Sequence, residues 1–107
     1  MATVVWTTRA KMMRKKLYAD GVRDFGPMTA NKMYQKTENI AEDLAKWPTS
    51  GYPEQLLLER RPLYRARTIN DRFRIIYRYD EEKDMVYIED IWDTRRNPEK
   101  LEKRMKK

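Results

Sequence analysis

Leu63-Tyr64-Arg65-Ala66-Arg67, resuming after a short gap as Arg72-Phe73-Arg74-Ile75-Ile76-Tyr77-Arg78, reads as two neighbouring β-strands. Successive side chains of an extended chain point to opposite faces. By that alternation Arg65 and Arg67 share one face of the first strand, and Arg72, Arg74 and Arg78 share one face of the second. Phe73, Ile75, Tyr77 and Tyr79 take the other face, in phase for a core. Asn70-Asp71 between the two runs is the signal of a tight hairpin. Residues 60–78 hold seven arginines against one acid, Asp71. A sheet with guanidinium groups on one side and aromatic and aliphatic groups on the other suits an anion, nucleic-acid phosphate first.

Upstream, Thr3 to Trp6 is β-branched and aromatic enough for a first strand, and Thr7 or Thr8 offers a helix N-cap. Ala10, Met13, Leu17, Gly21 and Phe25 then recur on one helical face, up to the break at Gly26-Pro27. A second helix runs from Pro27 or Thr29 to Lys46, with Ala30, Met33, Ile40, Leu44 and Trp47 as its stripe and Thr37 in phase. Trp47-Pro48-Thr49-Ser50-Gly51-Tyr52-Pro53 is a loop. Strands are expected at 55–59, 63–69, 72–79 and 85–92, with 80–84 as an acidic turn. In the last strand Val86 and Ile88 share a face, but Asp90 falls where a core residue belongs, so a bulge or an edge position is expected. After Pro98, residues 99–106 read as a short basic helix or a frayed tail. The whole, 1–107, is expected to be a single α+β domain. Its antiparallel sheet carries the helical hairpin on one face and leaves the other face open, with Arg65, Arg67 and Arg74 pointing there.

Composition narrows the chemistry. The net charge of +7 comes in blocks: residues 60–78 carry +6, 79–94 carry −6 and 95–107 carry +5. Unlike partners on distinct surfaces fit such blocks. There is no cysteine and no histidine, which removes disulfides, thiolate metal sites and the usual general base. No cofactor or metal is expected. No apolar run approaches the ~20 residues that span a bilayer, and no secretory signal is visible, so the chain reads as cytosolic. Arginine cannot act as a base, its pKa lying above ~12. A base would have to come from Tyr64, Tyr77, Tyr79, Tyr87, Glu59, Glu89, Asp90, Asp93 or a lysine.

The two arginine strands, followed by Val86-Tyr87-Ile88-Glu89-Asp90-Ile91-Trp92-Asp93-Thr94-Arg95-Arg96-Asn97-Pro98, resemble the C-terminal half of RelE/ParE superfamily toxins of bacterial type II toxin–antitoxin systems. The preceding hairpin and the Pro48/Gly51 linker have matching order, so the likeness spans nearly the whole chain. The resemblance implies a cognate antitoxin as partner and one of two activities. RelE-like members cleave mRNA in the ribosomal A site through basic residues that match Arg65, Arg67, Arg74 and Arg95 or Arg96. ParE-like members poison DNA gyrase and need no such set. Ribosome-dependent mRNA cleavage is the first expectation. A gyrase inhibitor, and a catalytically silent RNA- or antitoxin-binding module, are the alternatives. Two features depart from the RelE pattern: the first two basic positions, often lysine, are arginine, and 99–107 holds no tyrosine.

Overall fold

In the computed structural model, which describes residues 1–105, the elements follow in the order β1 (Thr3–Trp6), α1 (Thr8–Phe25), α2 (Pro27–Lys46), β2 (Tyr52–Pro53), a 3-10 turn (Gln55–Leu57), β3 (Tyr64–Thr68), β4 (Phe73–Asp80), β5 (Met85–Asp93) and α3 (Pro98–Arg104). Thr7 caps α1 by accepting the Ala10 N–H at 3.2 Å. Between the two long helices the chain reverses at Gly26, whose φ of 91° suits a residue without a Cβ. Pro27, with no N–H to satisfy, opens α2.

The five strands form one sheet in the order β1-β5-β4-β3-β2. β3, β4 and β5 are an antiparallel meander, but β1 joins β5 in parallel, so the sheet is mixed rather than wholly antiparallel. The anticipated bulge is present. Ile76 pairs with Asp90 and Tyr77 with Ile88, which leaves Glu89 as the extra residue. The α1–α2 hairpin covers one face of the sheet, where Leu17, Ile40 and Leu44 bury with Ile75, Tyr77, Val86 and Ile88, and Met13, Met33 and Phe73 pack at the margin. Phe25 and Trp47 end the helical stripes but lie 61 % and 67 % exposed, past the sheet's cover.

Three expectations change. Residues 55–59 make a 3-10 turn rather than a strand, and the edge strand is the two-residue β2 inside the expected loop. The sheet's second face is not open. The 3-10 turn and α3 close it with a second core of Leu57, Tyr64, Ala66, Ile76, Trp92, Leu101 and Met105. Leu101 and Met105 therefore make α3 a packed element rather than a frayed tail; Lys106, the end of the expected helix, lies outside the described residues.

The third change decides where the arginines go. The Ile69 N–H donates to the Phe73 carbonyl at 3.0 Å, closing a loop over residues 70–72 instead of a two-residue turn at Asn70-Asp71. Asn70 Oδ1 holds that loop by accepting the N–H groups of Arg72 and Phe73 at 2.9 and 2.8 Å. The longer loop moves the pairing by one residue. Arg65 now faces Tyr77 and Arg67 faces Ile75. Residues directly opposed in an antiparallel pair share a face, and a one-residue shift exchanges the faces. Arg65 and Arg67 therefore lie on the helix side, and Arg74 on the other.

Candidate functional site

Arg65 and Arg67 reach the edge of the helical layer, where they hold the loop after α2. The Arg65 guanidinium donates to the Gly51 carbonyl at 2.9 Å and the Thr49 carbonyl at 3.4 Å. Arg67 donates to Ser50 Oγ at 3.0 Å and pairs with Asp43 of α2 at 3.2 Å. Between them stands Tyr77, fully buried, whose hydroxyl accepts the Gly51 N–H and donates to the Pro48 carbonyl, each at 2.8 Å. Burial pushes that phenol's pKa up, with the Gly51 N–H pulling the other way, so it stays protonated and structural. Gly51 has no alternative here: a Cβ would lie 2.6 Å from the Tyr77 oxygen and 2.7 Å from the Ala66 carbonyl.

On the opposite face Arg74 forms a two-pronged pair with Glu54, at 2.6 and 3.2 Å. Glu54 is 1 % exposed and also accepts the Leu56 N–H at 3.0 Å, capping the 3-10 turn. Arg78 lies 3.4 Å from Glu89 and stacks over the Tyr87 ring at 4.1 Å. Arg72 pairs with Asp93 at 3.2 Å. Asp93 also meets Arg95 at 3.6 Å, and the Arg95 N–H and Arg72 hold its carboxyl below the usual range against the pull of burial. Arg95 and Arg96 are exposed in the turn before α3. The five arginines singled out in the sequence thus fall into three places: Arg65 with Arg67, Arg74 alone, and Arg95 with Arg96. The structure does not bring them together.

Two buried acids now stand out: Glu54, which no sequence pattern singled out, and Asp90, which the sequence offered as one of several candidate bases. Asp90 is wholly buried and lies 3.0 Å from Arg104 of α3, off the line of a good hydrogen bond. Burial raises its pKa to about 6 despite the Arg104 charge, and burial likewise lowers that of Arg104. The misplaced Asp90 in the strand pattern was the available signal. Near this pair, Tyr64 of β3, Glu89 of β5, Arg104 of α3, the cap residue Thr7, and Thr8 and Arg9 of α1 border a cleft of about 350 Å³. The Tyr64 phenol is raised by burial first and by the Glu89 charge second.

Compared with known proteins, residues 4–98 match the family model described as ParE toxin of type II toxin-antitoxin system, parDE. No curated protein sequence matches the chain. Among solved structures, a chromosomal ParDE toxin–antitoxin system from P. aeruginosa is similar at 22 % identity and a TM-score of 0.68, over 87 % of this chain and 96 % of that one. The toxin–antitoxin complex RelBE2 from Mycobacterium tuberculosis is similar at 23 % identity and a TM-score of 0.56, over 86 % and 96 %. At these identities the two structures support the fold.

Proposed function

The chain belongs to the ParE toxin family of type II toxin–antitoxin systems, and from that premise we propose that it arrests growth by binding DNA gyrase, under the control of a cognate antitoxin, rather than by cutting mRNA. The observation that carries this reading is the separation of the arginines. A phosphodiester-cleaving face needs several cations converging on one phosphate and a base within reach. Arg65 and Arg67 instead face away from Arg74, and all three are bonded to acceptors within the chain. Blocking a protein target needs no such constellation, only a rigid and chemically distinct surface. Exposed Trp47 and Tyr52 flank the loop that Tyr77, Arg65 and Arg67 hold in place, and they belong to residue types enriched at interfaces. An antitoxin with an acidic segment fits the charge blocks, so its grip should weaken as salt rises. Action on gyrase places the toxin in the cytoplasm.

Ribosome-dependent mRNA cleavage is the second reading. What favours it is the cleft where the Tyr64 phenol and the Glu89 carboxylate adjoin Arg104, with Arg95 and Arg96 as exposed cations elsewhere on the same chain. Two purified assays decide between them. Toxin added to gyrase should abolish DNA supercoiling and leave gyrase-linked breaks, while a reconstituted translation system should yield uncut mRNA. Cuts that require ribosomes, with gyrase unaffected, would overturn the proposal in favour of the second reading.

A further inference from the structure

The N-terminal end of α1 opens on the cleft lined by its cap Thr7, by Thr8 and Arg9 of α1, Tyr64 of β3, Glu89 of β5 and Arg104 of α3. A helix's first N–H groups have no partner inside the helix. The Thr7 side chain takes the Ala10 N–H and the Thr7 carbonyl takes that of Lys11. Those of Thr8 and Arg9 have no acceptor among the described residues, and the first turn holds no acidic side chain to complement them. The positive end of an 18-residue helix is thus left facing the cleft.

Tyr64 points to the same place independently. It is 4 % exposed, yet its hydroxyl makes no hydrogen bond among the described residues and is not among the sealed, unpaired polar atoms. Tyr64 is one of the residues that line the cleft. A phenol so placed, with its pKa raised by burial, keeps its proton and acts as a donor. The acids nearby are already matched: Glu89 by Arg78 at 3.4 Å and Asp90 by Arg104 at 3.0 Å. Arg9 donates one N–H to the Arg104 carbonyl at 2.6 Å and pairs with no acid among the described residues. The cleft therefore gathers donors that lack acceptors.

We propose that this cleft binds a phosphate group, received by the N–H groups of Thr8 and Arg9, the Thr8 and Tyr64 hydroxyls and the Arg9 guanidinium. An oxyanion with several acceptor oxygens satisfies such a donor set, and helix N-termini favour anions. The inference concerns the ligand group and not the target, although this cleft is the one that favours the mRNA reading. A phosphate monoester and the diester of a nucleic-acid backbone share the chemistry.

The test is an amide NMR titration of the isotope-labelled toxin at low salt, first with inorganic phosphate and then with a dinucleoside monophosphate, whose only phosphate is a diester. Saturable shifts are expected at Thr8 and Arg9. Tyr64→Phe, which keeps the ring and removes the hydroxyl, should weaken binding about ten- to a hundredfold, the loss of one hydrogen bond to a charged group. Thr8→Asp should abolish binding while raising the melting temperature, because a carboxylate in the first turn complements the helix but repels phosphate. A merely damaged fold cannot give those opposite signs. Tighter binding of inorganic phosphate would assign the site to monoesters, and tighter binding of the dinucleotide to a nucleic-acid backbone; either supports the site. Shifts confined to Arg95 and Arg96, no saturation with either probe, or wild-type affinity in both variants would overturn it.

Discussion

Replacing Arg74 with alanine should unfold this protein at a much lower temperature, and the reason lies in Glu54. Its carboxylate is 1 % exposed and is held by two guanidinium contacts at 2.6 and 3.2 Å. Removing the arginine leaves a buried charge with the Leu56 N–H as its remaining hydrogen-bond donor. Breaking such a pair from one side costs about 3–5 kcal/mol; the Arg74 side chain is 18 % exposed, so water can partly replace it and the lower end applies. Unfolding entropy near the midpoint, about 2.1 cal/mol/K per residue, amounts to roughly 0.2 kcal/mol per degree for a chain of 107 residues. A loss of about 3 kcal/mol is then a fall of about 13 °C in Tm. Circular dichroism melts would read it directly. Arg95→Ala, at an exposed position, is the control and should move stability by less than about 0.5 kcal/mol. The double change Glu54→Gln with Arg74→Met should recover most of the loss, because glutamine can still accept the Leu56 N–H and no charge stays buried. If Arg74→Ala melts within about 3 °C of the parent, a shift of under ~1 kcal/mol, the pair is not the buried strut described. Arg74 would then be available to a ligand. Loss of toxicity in Arg74→Ala is consequently not evidence of an RNA contact unless the melt is unchanged.

Asp90, with a folded pKa of about 6 against an ordinary 3.8, should make its contribution to stability greatest below pH ~4 and diminish it as pH rises through 6. The folded state holds the proton more tightly across that window, an effect of about 3 kcal/mol at most. Urea midpoints measured from pH 4 to 7 should fall relative to those of Asp90→Asn, and parallel profiles would remove the buried carboxylate from the account. Gly51→Ala should destabilise by about 1–3 kcal/mol, since its Cβ meets the Tyr77 oxygen and the Ala66 carbonyl. Combining it with Tyr77→Phe should relieve part of the clash, and strictly additive losses in chemical denaturation would show that the two residues do not touch. Arg67→Ala cuts an exposed pair with Asp43 and one bond to Ser50, so it should cost at most about 1 kcal/mol in the same denaturation experiment.

Much of the helical layer was legible because one period determines it. Ala10, Leu17, Ile40 and Leu44 recur at helical spacing, and all are buried against Ile75, Val86 and Ile88. The bulge was legible too, as an acid, Asp90, in phase with Val86 and Ile88 where a core residue belongs. The site was less so, for a reason local to three residues. Alternation fixes which side chains within a strand share a face, but says nothing of which face of the next strand they join. That depends on the loop, and Asn70-Asp71 suggested two residues where Asn70, Asp71 and Arg72 form three. A two-residue loop would have set Arg67 against Arg74; the longer one sets it against Ile75. One residue of loop length therefore separates a converging phosphate cradle from arginines on opposite faces, tied to the loop after α2 and to Glu54. The second core had a comparable blind spot. Leu57, Leu101 and Met105 sit in short segments with too few turns to show a period, and only the fold reveals that they meet over Ile76 and Trp92. Ile69 carried the warning that was available: an apolar residue in phase with Arg65 and Arg67 marks their face as the one turned toward the helices, and it is buried there with Leu17 and Ile75.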